Sequence, residues 1–407
     1  MDNYRLELGT AENLNHEPPY IFDIKDRFQH FYILGKTGAG KSVLMERMVS
    51  NDIDYGCAVA YIDPKGSSAK RLYHSIEDKS RVLYISIDTP ITINPLLKKG
   101  YTTDNIIAEF VQILDVLIQL TSSNPESTVL MREIIGNAIH TLKEEHRNLS
   151  FLTRFLMYED VRRGYPHPTD KLREYWAEFD AMDKNIRKNR GHFDSAKRVA
   201  SRLNSIVSDP NFEKFFLGEN EFDVSEIVAQ KKIVLVDTSR MTYEKRIYLS
   251  NLIVYGIVSY CEFGKKAGNP LMVYVDEFQT CVSPLFAQLL GLTREYQVGF
   301  TLAHHDFEEI TPRVLSSVIG NVDNFVIFRC GDNESKKMAS VFDLRPTDFS
   351  NLKKYTAWVR LGTQNTLTMT DPPLIADLPP DFSIPKGVTT ENTPSPTSYL
   401  QDGWIEF

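Results

Sequence analysis

The sequence contains little that would place the chain in an oxidising compartment or in a membrane. Its four cysteines, among 407 residues, are far apart and include no C-x-x-C pair, so neither a disulfide framework nor a zinc site is indicated. The longest apolar run, from Tyr248 to Tyr260, is interrupted by polar residues and is too short to cross a bilayer. The N-terminal residues lack the apolar core of a signal peptide. We therefore expect a cytoplasmic protein.

Basic residues are also outnumbered by acidic ones, with 46 lysines and arginines against 54 aspartates and glutamates. The net charge of −8 at pH 7 argues against general adhesion to DNA, so any contact with nucleic acid requires a local basic surface. Residues 184–202 offer one, with seven basic residues and a single acid. These residues are candidates for contacts to DNA phosphates, and a solvated helix face or a subunit contact explains them equally well. They are Lys184, Arg187, Lys188, Arg190, Lys197, Arg198 and Arg202.

Apolar β-rich runs alternate with helical segments in two parts of the chain, which predicts an α/β fold with a parallel sheet covered on both faces. Between these parts nearly every segment has helical spacing, which predicts an inserted all-α domain. Near the N-terminus, PPYIFDI is predicted as an edge strand. The predicted domains are residues 1–100 (nucleotide-binding α/β domain, first part), 101–225 (inserted all-α domain), 226–370 (α/β domain, second part) and 371–407 (proline-rich tail).

A complete P-loop lies between a β-rich run and a segment with helical spacing. Gly35, Gly40, Lys41 and Ser42 match the pattern G-x-x-x-x-G-K-[ST]. The glycines let successive backbone N–H groups face phosphate oxygens, and the start of the following helix adds positive potential. Lys41 is expected to reach the β and γ phosphates, and Ser42 to bind Mg²⁺, so ATP and Mg²⁺ are the predicted cofactors. The predicted nucleotide-binding residues are Gly35, Lys36, Thr37, Gly38, Ala39, Gly40, Lys41 and Ser42.

A second apolar run, LMVYVDEF, ends in two carboxylates and is typical of a Walker B strand. A carboxylate at the end of a strand beside a P-loop can hold the water shell of Mg²⁺, a role that we assign to Asp276. Glu277 is then placed to orient and polarise the attacking water. An acidic pair at a strand end is otherwise often only solvated. The presence of the P-loop is what favours the catalytic interpretation here.

Other candidates lie near the ends of predicted strands. Arg294 is the first choice for an arginine that completes the site of a neighbouring subunit, with a helix C-terminal cation as the alternative. Arg329 is the second choice, and a structural ion pair would explain it equally. His304 and His305 do not fit a metal site, because adjacent residues on a strand point to opposite faces; one of them is expected to sense the nucleotide. Lys65 is predicted either as a turn residue or as a contact to DNA or nucleotide.

The chain resembles the soluble ATPase region of the conjugative coupling proteins of type IV secretion, within the wider FtsK/HerA motor superfamily. The resemblance runs from about Tyr32 to Thr370. It implies a RecA-like P-loop NTPase sheet, a hexameric ring, ATP hydrolysis at subunit interfaces and translocation of DNA through a central channel. The motifs that carry it, in the family's order, are YILGKTGAGKS, AYIDPKG, INPL, VLVD, VYVDEFQ, REYQVGFTLAH, GNVDNFVIFRCG and FSNLKKYTAWVRL.

The resemblance also implies roles for single residues. The P-loop lysine of the family falls on Lys41, its Walker B pair on Asp276 and Glu277, and its arginine finger on Arg294. His305 stands where the family has a sensor glutamine, and the protonation of an imidazole varies near neutral pH. The resemblance also implies an N-terminal membrane anchor, which we expect this chain to lack. We therefore expect either docking on a membrane-anchored secretion or relaxase partner, at the inner face of the membrane, or a free motor.

The sequence leaves three functions open. The first is a Mg-ATP-dependent hexameric motor that translocates DNA, in conjugative transfer or in the mobilisation or packaging of a mobile element's DNA. The second is a secretion-system ATPase that moves protein or pilin subunits, which would use the same nucleotide-binding residues. The third is a docking adaptor that binds nucleotide without hydrolysing it. An intact Glu277 argues against the third function.

Overall fold

The computed structural model divides into two compact units. The sheet unit comprises Met1–Ser86, Val111–Glu126 and Asp223–Pro380, and the helical unit comprises Ile87–Phe110 and Ser127–Phe222. The domain boundaries predicted from the sequence stay a prediction. Most of the predicted tail lies outside the residues that the structure describes. The described residues are 4–11, 18–121, 129–184, 190–218, 220–266, 268–281, 284–371, 373, 378–379 and 382–384.

The strands all belong to the sheet unit, as far as the described residues show. β1 and β3 form a separate two-stranded sheet, and the others form one sheet of ten strands. The strands are β1 (Leu6–Glu7), β2 (Thr10–Ala11), β3 (Tyr20–Ile21), β4 (Phe31–Leu34), β5 (Ala58–Asp63), β6 (Val82–Ser86), β7 (Ile233–Asp237), β8 (Leu271–Asp276), β9 (Val298–His304), β10 (Asn324–Phe328), β11 (Thr356–Leu361) and β12 (Gln364–Met369).

The large sheet has the order β2-β12-β11-β10-β4-β9-β8-β5-β7-β6. The strands from β10 to β6 are parallel to one another, whereas β11, β12 and β2 are antiparallel additions at one edge. Every residue of β4, β5, β8 and β9 is buried, as continuous apolar runs predict for strands covered on both faces. Because β9 lies between β4 and β8, the P-loop and the Walker B carboxylates meet across one intervening strand.

Helices cover the sheet and make up the helical unit. Within the described part of the chain, no helix has the combination of length and apolarity that crossing a bilayer requires. The helices are α1 (Ile24–Arg27), α2 (Lys41–Tyr55), α3 (Ser67–Ser75), α4 (Thr103–Thr121), α5 (Val129–Thr141), α6 (Leu149–Met157), α7 (Glu159–Gly164), α8 (Asp170–Lys184), α9 (Arg190–Val207), α10 (Pro210–Glu213), α11 (Val224–Ala229), α12 (Tyr243–Phe263), α13 (Pro284–Thr293), α14 (Pro312–Gly320), α15 (Asp332–Phe342) and α16 (Thr347–Ser350).

The edge strand predicted for PPYIFDI is present, but it is shorter than the predicted segment. Within this segment only Tyr20 and Ile21 form a strand, and they pair with β1 in the two-stranded sheet. The strand is short because α1 begins shortly after it. The carboxylate of Asp23 caps this helix by accepting a hydrogen bond from the Lys25 N–H at 2.8 Å. At the other end of the sheet unit, β11 and β12 form a hairpin that pairs antiparallel around Gly362, which has a φ of +58°.

The helical unit has its own core, in which α9 is central. Arg162 on α7 is buried here, and it donates to the carbonyls of Phe155 and Leu156 at 2.8 and 2.9 Å and to Asp180 on α8. One guanidinium thereby satisfies the C-terminal carbonyls of α6 and pairs with an acid of α8. The residues that α9 buries recur at helical spacing and are Ala196, Val199, Ala200, Leu203, Ile206 and Val207.

A buried polar cluster connects elements around α2 in the sheet unit. Arg27 on α1 donates to Asp52 at 2.8 Å and to the hydroxyl of Tyr274 on β8, also at 2.8 Å. Tyr4 donates its hydroxyl proton to the other oxygen of Asp52 at 2.7 Å. The Arg27 and Asp52 side chains are 1% and 0% exposed. The ion pair therefore fixes the P-loop helix to α1 and to the Walker B strand.

Candidate nucleotide-binding site

The P-loop connects β4 to α2 at the carboxyl edge of the large sheet. Gly40 has a φ of +130°, a backbone region that favours glycine. A Cβ on Gly40 would lie 3.0 Å from ring atoms of Phe328 and Tyr355, and a Cβ on Gly35 would lie 2.6 Å from the Phe328 Cβ. The Tyr355 N–H donates to the Ala39 carbonyl at 2.9 Å. β10 and the segment before β11 thus pack so closely on the loop that both positions require glycine.

Lys41, the first residue of α2, is buried above the loop. Its Nζ donates to the Gly35 carbonyl at 2.5 Å and to the Lys36 carbonyl at 3.4 Å. Burial lowers the pKa of the Lys41 ammonium, and the carboxylates of Asp276 and Glu277 counteract part of this effect. The ammonium is therefore held over the loop, where backbone N–H groups of a P-loop bind phosphate oxygens.

Ser42 and Asp276 are in contact although a strand separates β4 from β8. The Ser42 hydroxyl donates to Asp276 Oδ2 at 3.4 Å. Asp276 is only 2% exposed. Its burial raises the pKa of the carboxyl to about 6, against the lowering effect of the Lys65 ammonium. A hydroxyl and a carboxylate are hard oxygen ligands, so this donor set fits Mg²⁺.

Glu277 follows with a φ of +54° and accepts hydrogen bonds on both carboxylate oxygens. Oε1 accepts from Lys65 Nζ at 2.9 Å, and Oε2 accepts from Gln279 Nε2 at 3.0 Å and from His305 Nδ1 at 2.9 Å. Because a carboxylate only accepts, Nδ1 of His305 carries the proton in this contact. Burial acts to raise the pKa of Glu277, but the hydrogen bonds from Lys65 and Gln279 outweigh it and hold that pKa at about 2.

The strand order explains why Lys65 meets Glu277. β5 pairs with β8 in parallel, with Ile62 opposite Val275, so the residues after the two strands meet at the carboxyl edge. The carboxylate of Asp63 accepts from the Lys65 N–H at 2.9 Å and fixes the turn. The sequence DPKG indicated that Lys65 lies just after a strand, but it did not show that β5 and β8 are neighbours. Sequence reasoning therefore missed the partner of Lys65.

The two histidines at the end of β9 have different surroundings, as alternation along a strand predicts. His304 is buried against the hydroxyl of Tyr32, and burial lowers its pKa to about 3. His305 bonds Glu277, and its Nε2 lies 3.8 Å from Glu309. Glu277, His305 and Glu309 bring one potential ligand atom each within 4.8 Å of one another. His305, not His304, thus joins the side chains around the candidate base.

The relationship to known proteins follows from a family profile. The family described as "Helicase HerA, central domain" matches residues 6–257, more than half of the chain. The chain belongs to this HerA family. The matched range includes the P-loop and Lys65, whereas Asp276 and Glu277 lie beyond it. No curated protein matches the sequence.

Solved structures share the fold of this HerA-family chain. VirB4 of Thermoanaerobacter pseudethanolicus is 15% identical, covers 90% of this chain and 96% of its own, and has a TM-score of 0.63. The plasmid coupling protein TrwB with ADP and Mg²⁺ is 12% identical, with coverages of 92% and 91% and a TM-score of 0.61. TrwB with the ATP analogue ADPNP is 12% identical, with coverages of 86% and 86% and a TM-score of 0.60. The predicted P-loop ATPase fold and the resemblance to the FtsK/HerA superfamily are confirmed.

Arg294 lies near the amino end of β9, whereas the P-loop of the same chain lies at the carboxyl ends of the parallel strands. It follows α13 and precedes β9, whose seven residues end at His304 beside the site. At a rise of ~3.3 Å per residue, this strand separates Arg294 from the carboxyl edge by about 20 Å. Its Nη2 donates to the Asn321 carbonyl at 2.6 Å. The fold therefore does not bring Arg294 to the P-loop of the same chain.

Arg329, in contrast, lies beside the P-loop of its own chain. It directly follows β10, and its carbonyl accepts a hydrogen bond from the Lys36 N–H at 2.8 Å. Its side chain is exposed. The guanidinium is thus at the same edge of the sheet as Lys41, and its role as a second arginine acting between subunits stays a prediction.

The basic segment of the helical unit is described only in part. Lys197 and Arg198 are exposed on α9, away from its buried residues, and Arg202 is half-buried. The predicted phosphate contacts stay a prediction. Arg187 and Lys188 lie outside the described residues. Of Lys184 and Arg190, the structure describes the backbone but not the side chain.

Proposed function

We propose that the chain is a Mg-ATP-dependent motor that assembles as a homo-oligomer, a hexameric ring, and translocates DNA. The single observation that supports this most is the meeting of Lys41 and Ser42 with Asp276 and Glu277 at one edge of the sheet, from segments far apart in the sequence. Membership of the HerA family supports the motor class. The shared fold of TrwB, a bacterial conjugative coupling protein, supports transfer or mobilisation of DNA as the context.

In the proposed reaction, each group has a defined task. The loop from Gly35 to Ser42 binds the phosphates, and Lys41 neutralises charge on the β and γ phosphates. Glu277 accepts a hydrogen bond from water and orients it for attack on the γ-phosphorus. A phosphorus–oxygen bond forms to this water, the bond to the leaving ADP oxygen breaks, and the water proton passes to Glu277. Ser42 and Asp276 would hold Mg²⁺, which neutralises phosphate charge when bound.

Two further residues are assigned proposed roles at the site. Arg294 lies at the end of the strands away from the P-loop of its own chain, so we assign it to the site of a neighbouring subunit. There a fixed guanidinium would stabilise charge on the γ-phosphoryl oxygens. His305 contacts Glu277 directly and is proposed to report the state of the nucleotide to that carboxylate. The Arg294 assignment requires that ATP is hydrolysed between subunits, whereas His305 acts within its own chain.

DNA contacts and location complete the proposal. Lys197 and Arg198 lie exposed on α9 and are proposed to contact DNA phosphates, as a local basic surface on an acidic protein. The motor would act in the cytoplasm, recruited to the membrane by an anchored secretion or relaxase partner. The proposal covers single-stranded and double-stranded DNA alike.

Steady-state ATP hydrolysis, measured with and without DNA, tests the proposal. Lys41→Ala is expected to lose nucleotide binding and turnover. Glu277→Gln keeps the size of the side chain, so it should retain ATP binding while turnover falls by ~10²- to 10⁴-fold, the usual contribution of a general base. Lys171→Ala, which changes an exposed lysine on α8, is the control and should behave as wild type. Full hydrolysis in both site variants would exclude the proposal.

Salt dependence separates DNA translocation from the transport of protein or pilin subunits. Both functions use the same nucleotide-binding residues, but only the DNA motor needs phosphate contacts. DNA binding through such contacts weakens linearly on a log–log plot as salt rises. Binding that is absent at low salt, together with hydrolysis that DNA does not stimulate, would favour protein transport instead.

A further inference from the structure

Glu277 is surrounded by side chains that donate to it. Oε1 accepts from Lys65 at 2.9 Å, while Oε2 accepts from Gln279 at 3.0 Å and His305 at 2.9 Å. A carboxylate has about four acceptor positions, so about three of them are in use. A general base must accept from its water within hydrogen-bond distance. The geometry therefore shows a base that is restrained by its neighbours.

Among these donors, Lys65 is the one best placed to leave. Its side chain is 50% exposed, whereas that of His305 is 34% exposed and Gln279 is half-buried. An ammonium on a flexible stem can rotate to another anion, and an ion pair with one exposed partner contributes little to stability. The Lys65 backbone, by contrast, is held by Asp63 at 2.9 Å. The side chain can thus change partner while the turn stays in place.

We propose that Lys65 restrains Glu277, and that a phosphate group which takes the Lys65 ammonium as its partner releases Glu277 to orient the attacking water. Lys65 is a positioning residue, because it acts on the reaction through Glu277. The inference rests on the proposed ATPase function and adds a control to the same base. The phosphate belongs to the backbone of a nucleic acid, because a phosphate of ATP would already release Glu277 in every ATP-bound site; backbone oxygens accept hydrogen bonds from an ammonium.

Lys65→Met tests the restraint, since it keeps a long unbranched side chain and removes the charge. ATP hydrolysis without DNA is expected to rise in kcat by on the order of two- to tenfold, the size of one net hydrogen bond, with KM for ATP unchanged. Lys65→Arg keeps a cation beside Glu277 and should stay near the wild-type rate. A merely structural role for Lys65 would lower the rate and would not separate kcat from KM in this way.

Lys70→Met is the matched control. Lys70 lies five positions along the same segment, on α3, and its side chain is 38% exposed and forms an ion pair with Asp237 at 3.5 Å. Its replacement should leave kcat without DNA at the wild-type value. Thermal unfolding of all variants shows whether the proteins are equally folded, and Lys65→Gln replaces Lys65→Met in the comparison if the latter is less stable.

ATP hydrolysis measured with DNA tests whether a nucleic-acid phosphate releases Glu277. If a nucleic-acid phosphate releases Glu277, DNA stimulates wild type but leaves the already faster Lys65→Met nearly unchanged. Stimulation of both proteins by the same factor would show that DNA acts through another group, and it would overturn the release of Glu277 by a nucleic-acid phosphate. A folded Lys65→Met whose kcat without DNA equals or falls below wild type overturns the inference. Wild-type protein that is no faster than Lys41→Ala under every condition overturns the proposed function itself.

Discussion

At the scale of single residues, His30 shows how a buried side chain limits the pH range of the fold. It is fully buried; its Nε2 donates to the Leu290 carbonyl at 2.9 Å, and its Nδ1 accepts from the Phe300 N–H at 3.1 Å. Both ring nitrogens are therefore satisfied only when the imidazole is neutral. Burial lowers its pKa to about 4, which the Leu290 carbonyl opposes and the guanidinium of Arg294 reinforces.

We expect the free energy of unfolding to fall as the pH is lowered from 6.5 towards 4. The unfolded chain takes up a proton on His30 near the ordinary pKa of 6.5, whereas the folded chain resists protonation down to about 4. The unfolded state thus binds more protons in this window, so stability is present above it and is lost within it. Once the pH has reached about 4, the free energy of unfolding has fallen by about 3 kcal/mol.

Denaturant unfolding at several pH values checks this expectation. Asparagine tolerates the left-handed backbone of this position, where φ is +63°. His30→Asn should therefore fold, with a lower stability near neutral pH and a flatter profile between pH 6.5 and 4 than wild type. Parallel profiles for the two proteins would show that His30 does not carry the acid sensitivity.

At the scale of elements, the buried pair of Arg27 and Asp52 joins α1, α2 and β8. Removing one partner leaves the other charge buried, which costs ~3–5 kcal/mol, far more than an exposed pair contributes. Arg27→Met is expected to lower the free energy of unfolding by this amount. It should also weaken nucleotide binding, because Asp52 lies on the helix that begins at Lys41.

An exposed ion pair provides the matched control for this prediction. Arg163 and Glu159 form an i,i+4 pair on α7, with the Arg163 side chain 60% exposed. Arg163→Met should change stability by less than about 0.5 kcal/mol. Equal losses for Arg27→Met and Arg163→Met in urea unfolding would contradict the structural importance of the buried pair. The double variant Arg27→Met, Asp52→Leu should recover part of the loss, since it leaves no unpaired charge.

At the scale of the whole molecule, the position of Arg294 predicts that one subunit completes the site of the next. Arg294→Ala should abolish most ATP hydrolysis, by ~10³-fold or more if the arginine acts as a finger, while ATP still binds to the intact P-loop. Glu277→Gln should be equally inactive for a different reason, since it lacks the base but keeps the arginine. Each variant retains the group that the other lacks.

Mixing the two inactive proteins is the measurement. If Arg294 acts between subunits, mixed assemblies contain sites with Glu277 from one chain and Arg294 from its neighbour, and hydrolysis rises above that of either variant alone. If Arg294 acts only within its own chain, mixing restores nothing. Arg294→Lys serves as the control for packing at the Asn321 carbonyl, because it keeps a donor but not the planar fork.

Much of the site was predictable because it is encoded in short stretches. The P-loop and the LMVYVDEF run carry their chemistry in adjacent residues, and continuous apolar strands follow directly from burial on both faces. Residues far apart in the sequence were harder to relate. The side chains that contact Glu277 come from the turn after β5, from the residues after β8 and from the end of β9, and no local pattern specifies that these strands lie side by side.

The sequence by itself therefore determined the class of the protein, since the phosphate-binding loop, the acidic strand end and the helical insert are each written in local spacing. Only the tertiary structure decided that Lys65 and His305 contact Glu277, and that Arg294 lies an entire strand away from its own P-loop. The physical reason is that strand order in a parallel sheet is set by packing between distant segments. Hydrogen-bond partners across the sheet edge follow from that order.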